Sequence, residues 1–251
     1  MMPPSVTPGS RESESSAPSG SNVVREAPVG PGAPVAEMAS VVRGLAAIFW
    51  GLPIALLAFA RHFLAFWPSV YDLVLPPAAT GLLLLGLHRL SRLYPQERIW
   101  QQAVFQAQIL ALLLVGLSPF LFFWSRTPGA DFFGRAVVVL LGAAFAFVVA
   151  LMRVLVRLSA ILPDETARSD ARLFQGLATY VVVVLVGAAV TLFVRLSPIG
   201  LSEFLELPKQ PSAFGRQALL LLLTLLPIAM AMAVAWKLKE VAMGVVIGRR
   251  R

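Results

Sequence analysis

Long apolar stretches recur along the chain from residue 41 onward, and short charged segments separate them. They cover residues 44–60, 73–90, 103–124, 136–154, 173–194 and 217–236. A helix needs about 20 apolar residues to cross the hydrocarbon core of a bilayer, with a range of roughly 17–25. The pattern therefore predicts an all-α, polytopic integral membrane protein with about six transmembrane helices, which occupy residues 39–251.

The second stretch is the weakest of the six, because only residues 73–87 are free of charge. Pro76 and Pro77 lie near its start, and proline suits the first turn of a helix, where its missing N–H is not needed. We therefore expect a helix from about Pro76 to Leu90. An even number of spans is required if both ends of the chain lie on the same side of the membrane.

Residues 1–38 differ in composition from the rest of the chain, with seven Pro, four Gly and seven Ser. No run of apolar residues in this segment is longer than two. Such a segment cannot bury enough apolar surface to offset the entropy lost on ordering. The sequence predicts a disordered, Pro/Ser/Gly-rich cytoplasmic tail.

The distribution of basic residues predicts the orientation. Cytoplasmic loops carry an excess of Lys and Arg. Of the 21 basic residues, 15 lie in the two terminal segments and in the loops after the second and fourth spans. The other 6 lie in the three opposite loops, so both termini are expected in the cytoplasm. Basic residues in the predicted cytoplasmic segments account for the net charge of +8, so nucleic acid is not an expected partner.

Composition narrows the class of protein further. The chain is 58% hydrophobic and only 14% charged, with a mean hydropathy of +0.79. Soluble domains have about 45–50% apolar and about 25% charged residues, so a soluble enzyme is excluded. Arg outnumbers Lys by 18 to 3, which is typical of a GC-rich bacterial genome and favours a bacterial inner membrane.

No catalytic or metal-binding constellation is visible in the sequence. The central parts of the spans contain no Asp, Glu, Lys, Arg or His, although such residues inside a membrane usually mark function. His62 and His88 lie at span ends, and there is no cysteine. The sequence also lacks the HExxH, GxSxG and P-loop motifs. We expect a protein that is not an enzyme and has no cofactor or metal.

Two prolines lie near the middle of predicted spans, Pro53 in the first and Pro227 in the sixth. A proline removes one helical hydrogen bond and crowds the carbonyl four residues earlier, which kinks a helix. Broken helices at the bilayer midplane are where transporters bind their substrates. A static packing kink is the other interpretation.

Small residues repeat every four positions in two spans and are candidate helix-packing sites. The first set is Gly142, Ala146 and Ala150, and the second is Ala229 and Ala233. Such stripes allow close approach of another helix, within the bundle or in a second copy. Aromatic residues at the span ends, Trp100 and Trp124 among them, are typical of the headgroup level.

Two function classes are left open. A non-catalytic membrane scaffold or accessory subunit fits the uncharged spans and the small-residue stripes. A small-solute transporter, channel or permease subunit fits the prolines, together with a short similarity between residues 89–97 and 157–165 that suggests a parallel repeat. The expected partners are the lipid bilayer and a second copy or other membrane subunits.

Overall fold

The computed structural model describes residues 35–63, 71–93, 97–127, 130–161, 165–195 and 214–248. These contain six α-helices, which are α1 (Val35–Phe63), α2 (Tyr71–Ser91), α3 (Arg98–Arg126), α4 (Asp131–Ile161), α5 (Glu165–Arg195) and α6 (Phe214–Gly248). All six are long and apolar enough to cross a membrane. The prediction of an all-α membrane protein with six spans is confirmed.

The second helix is longer than the sequence predicts. It begins at Tyr71 and ends at Ser91, so Pro76 and Pro77 lie inside it. At about 1.5 Å per residue its 21 residues extend roughly 31 Å, enough for a hydrocarbon core of about 30 Å. Because proline has no N–H, Pro76 and Pro77 leave the carbonyls of Asp72 and Leu73 without their usual helical donors, and both carbonyls lie in the first turn of the helix.

Several helices continue well past the apolar stretches that predict them, mainly at the ends predicted to be cytoplasmic. The first helix begins at Val35, inside the segment predicted as the tail, and residues 1–34 lie outside the described residues. The sixth helix continues twelve residues beyond Trp236, to Gly248. An apolar stretch marks only the part of a helix that lies in hydrocarbon. The helix itself can continue into water, where its charged side chains are solvated.

Successive helices pack against each other, and α6 closes the bundle by packing against α1. The α1–α2, α2–α3 and α3–α4 pairs contact most extensively. The fifth helix contacts only α4 and α6 substantially and lies at the edge of the bundle. From residue 186 to residue 191 every side chain of α5 is exposed.

Glycine brings α1 and α2 into close contact. A Cβ atom added at Gly86 would lie 2.8 Å from a side-chain atom of Ile48 and 2.9 Å from the carbonyl oxygen of Gly44. A Cβ atom added at Gly51 would lie 2.7 Å from the side chain of Leu83. Only residues without a side chain allow backbones this near, and van der Waals packing at such short distance is one of the sources of helix association in lipid.

Two tryptophans pack inside the bundle rather than at its surface. Trp100 and Trp124 lie near opposite ends of α3 and are both fully buried. Both rings are covered by protein, and the expectation that they lie at the headgroup level stays a prediction. By contrast Tyr71, at the start of α2, is 79% exposed.

Candidate functional site

A cavity of about 120 Å³ lies inside the bundle and is the main candidate site. Hydrocarbon side chains from α1, α2, α3, α4 and α6 line it, and the lining includes Pro227. Two hydroxyl groups, those of Thr80 and Thr224, also belong to the lining. The candidate kink Pro227 therefore lines a cavity near the middle of its helix.

The other candidate kink, Pro53, is not among the residues that line the cavity. It is half-buried on α1, one residue after Leu52, which does line the cavity. Both α1 and α6 continue as helices through their prolines. The roles of the two prolines as hinges or ligand sites stay predictions.

Three hydroxyl side chains are buried in the described part of the bundle, and each donates a hydrogen bond to its own helix. The acceptor is the carbonyl three or four residues earlier, an arrangement that satisfies a hydroxyl in an apolar environment. The pairs are Thr80 to Pro76 at 2.8 Å, Ser118 to Val115 at 2.9 Å and Ser159 to Val156 at 2.8 Å. These hydroxyls are used by the fold itself.

A charged pair joins the facing ends of α1 and α2. The Arg61 Nη2 atom lies 3.2 Å from Asp72 Oδ1, and the Asp72 side chain is only 8% exposed. Next to this pair, His62 is buried, with Nδ1 2.9 Å from the carbonyl oxygen of Ala58. A buried carboxylate requires a partner, because an unpaired charge is costly to remove from water.

The sequence analysis missed this pair because Asp72 lies just outside the predicted second span. One signal could have found it: Arg61 and Asp72 are opposite charges that flank the same short connection. The ends of a helical hairpin lie close together, so charges at those positions meet. The pair couples α1 to α2 at the predicted external side.

The opposite ends of the helices carry a second group of charges. Lys237 Nζ on α6 lies 2.6 Å from Asp170 Oδ2 on α5. The indole N–H of Trp236 donates to Glu240 Oε1 at 2.8 Å, and the Lys239 ammonium lies 4.1 Å from the centroid of the Trp236 ring. These groups are partly exposed, so they stabilise the helix ends by small amounts.

The small-residue stripe on α4 lies mostly on the outside of the bundle. Gly142 and Ala146 are exposed, and Ala150 is buried. A Cβ atom added at Gly142 would have nothing within 4 Å. Ala229 and Ala233 on α6 are exposed as well. The close contacts of this chain involve the glycines of α1 and α2, and a role for these stripes in packing between copies stays a prediction.

Within the described ranges, no group of three or more His, Asp or Glu residues is arranged to hold a metal ion. Comparison of the chain with protein-family models, with curated proteins and with solved structures gives no match. The class of protein that the fold defines is a six-helix integral membrane protein.

Proposed function

We propose that this protein is a non-catalytic membrane scaffold or accessory subunit of a bacterial inner membrane, with both termini in the cytoplasm. The observation that carries the proposal is that the buried polar side chains make their contacts within the chain itself. Among the described residues these are His62, Asp72, Thr80, Ser118 and Ser159, and each has a contact within the chain that serves the fold. A bundle built in this way supports a structural role.

The edge position of α5 supports an assembly role. Residues 186–191 of this helix are all exposed, and they include small and β-branched residues such as Gly187 and Val190. Such residues suit helix–helix contact in lipid, because they allow close approach and lose little side-chain entropy. Another membrane subunit could pack against this part of the helix without rearrangement of the bundle.

Site-specific photocrosslinking in native membranes tests the scaffold proposal. A benzophenone amino acid at Val190, which is 56% exposed, should give a discrete protein adduct. The same probe at Val181 is the matched control, because this residue is on the same helix and only 7% exposed. The scaffold proposal fails if Val190, Leu112 on α3 and Val139 on α4 all give lipid adducts and no protein adduct.

A small-solute transporter or permease subunit is the second candidate, and the cavity beside Pro227 favours it. The purified protein in vesicles should then carry a solute that empty vesicles retain, and Pro227→Ala should change the flux while the helix content is unchanged. A scaffold instead gives no flux above that of empty vesicles. The two candidates are therefore separated by flux in the parent protein, before any variant is made.

A further inference from the structure

The cavity inside the bundle has walls of two kinds. Leu52, Leu83 and Phe147 form a deep wall and are each less than 5% exposed. Leu141 and Phe145, on α4, form a shallower wall, and Leu141 is 41% exposed at the outer surface of the bundle. The cavity therefore reaches from fully buried side chains to a residue that faces the membrane.

The chemistry of these walls suits an apolar occupant. A buried water needs two to four polar partners, and the lining offers two hydroxyl groups, of which Thr80 is already bonded to the Pro76 carbonyl. An engineered apolar cavity of about 150 Å³ in another protein stays dry and binds benzene. At about 120 Å³ the present cavity has comparable room for a short segment of hydrocarbon.

The lining residues of α4 and α6 include one exposed and several half-buried side chains, so the opening is assigned to the crevice between these two helices. These helices contact each other much less than α3 contacts α4 or α1 contacts α6. Their lining residues include Leu141 and Ala144 on α4, and Thr224 and Ile228 on α6. Leu141 is ten residues from the first residue of α4, about 15 Å along the helix, so the opening faces the hydrocarbon of the bilayer.

We propose that a hydrocarbon chain inserts from the bilayer between α4 and α6 and occupies this cavity. The chain can belong to a phospholipid or to a free fatty acid, since both present the same methylene segment to the walls. The proposal goes beyond the proposed function and does not depend on it, because a scaffold and a permease could both hold such a chain.

Photoactivatable lipids test the proposal directly. The full-length protein is reconstituted in phosphatidylethanolamine and phosphatidylglycerol vesicles that contain a phospholipid with a diazirine in one acyl chain. Parallel vesicles contain a diazirine fatty acid instead, which distinguishes the two sources. We expect adducts on Leu52, Leu83 or Phe147, which bulk lipid cannot reach because they are buried.

A pair of variants on α4 provides the control. Ala144→Phe places a ring at the opening of the cavity and should abolish adducts on the deep wall. Ala146→Phe adds the same ring on the same helix, but at an exposed position that does not line the cavity, and should leave those adducts unchanged. Adducts confined to exposed residues in the parent protein would overturn the proposal.

A second measurement does not depend on the Ala144→Phe variant. The chain has no cysteine, so Leu83→Cys introduces a single thiol on the deep wall. An apolar maleimide should modify it, and a charged thiosulfonate applied to both sides of the membrane should not. Ser91→Cys, at the end of α2, should react with both reagents. Modification of Leu83→Cys by the charged reagent at the rate of Ser91→Cys would mean a hydrated cavity and would overturn the proposal.

Discussion

Ser118 and Pro119 on α3 lead to a prediction about how this bundle tolerates a proline in mid-helix. Proline has no N–H, so Pro119 leaves the Val115 carbonyl without its usual helical donor. The Ser118 hydroxyl donates to this same carbonyl at 2.9 Å, and Ser118 is fully buried. The hydroxyl therefore replaces the missing N–H, and Ser118→Ala should leave a carbonyl in the apolar part of the helix without a donor.

The expected cost follows from the energetics of buried polar groups. A hydrogen bond contributes about 0.5–1.5 kcal/mol net, and an unsatisfied buried group costs about 1–3 kcal/mol. Hydrogen bonds between membrane helices often contribute less, about 0.6 kcal/mol, because the unfolded state also finds partners. We expect Ser118→Ala to lower the free energy of unfolding by about 1–2 kcal/mol. The carbonyl that loses its donor belongs to the backbone ladder itself, which favours the upper part of these values.

The second half of the prediction is a coupling between the two positions. In a Pro119→Ala background, the N–H regained at position 119 can bond to the Val115 carbonyl. Ser118→Ala should then cost less than about 0.5 kcal/mol, and the coupling energy of the double-mutant cycle should be about 1 kcal/mol. The sign of this coupling energy is the informative quantity. The double variant should lose less unfolding free energy than the sum of the losses in the two single variants.

The assay is reversible unfolding of the purified protein in mixed micelles with increasing sodium dodecyl sulfate, followed by circular dichroism. Ser125→Ala is the matched control on the same helix. Its hydroxyl donates to the Phe122 carbonyl at 2.7 Å, but no proline removes the helical donor of that carbonyl, so the expected change is within about 0.5 kcal/mol. Equal costs of Ser118→Ala with and without Pro119 would refute the reasoning.

Three further predictions concern the α1–α2 pair and the orientation. Asp72→Asn should destabilise the bundle by about 1–3 kcal/mol in the same assay, because Arg61 is one-third exposed and keeps part of its hydration, and adding Arg61→Gln should recover part of this loss. If the double variant is as unstable as the sum of its parts, the ion pair is not the cause. Gly86→Leu should destabilise strongly because Ile48 lies in the way, whereas Gly142→Leu should be nearly neutral; equal effects would contradict the packing. In intact cells Ser91→Cys should resist an impermeant thiol reagent and Gly129→Cys should react, and the reverse pattern would invert the orientation.

Much of the fold can be predicted from the sequence, because the signal for a span is strong and local. An apolar stretch near 20 residues needs no tertiary contact to be recognised, and all six stretches correspond to helices. The helix ends are less predictable. The first helix begins as early as Val35 and the sixth ends as late as Gly248, in segments that are not apolar enough to belong to a span. Only the backbone geometry shows where these helices begin and end.

The candidate site is less predictable, and the residues show why. Pro227 was a candidate from its position, but its contact with a cavity depends on which neighbours surround it. Gly142 and Gly86 look alike in sequence, yet one is exposed and the other contacts α1 closely. Asp72 and Arg61 are separated by ten residues, and their pairing depends on the hairpin.

The sequence by itself determined the class of protein, the number of spans and the expected bias of basic residues toward one side. The tertiary structure decided which face of each helix is buried, where two helices approach closely and where a cavity is left. The physical reason is the solvent. In water only the apolar face of a helix turns inward, so periodicity reveals the buried side. In a bilayer the lipid is as apolar as the protein interior, so both faces are apolar and the buried side is set by packing alone.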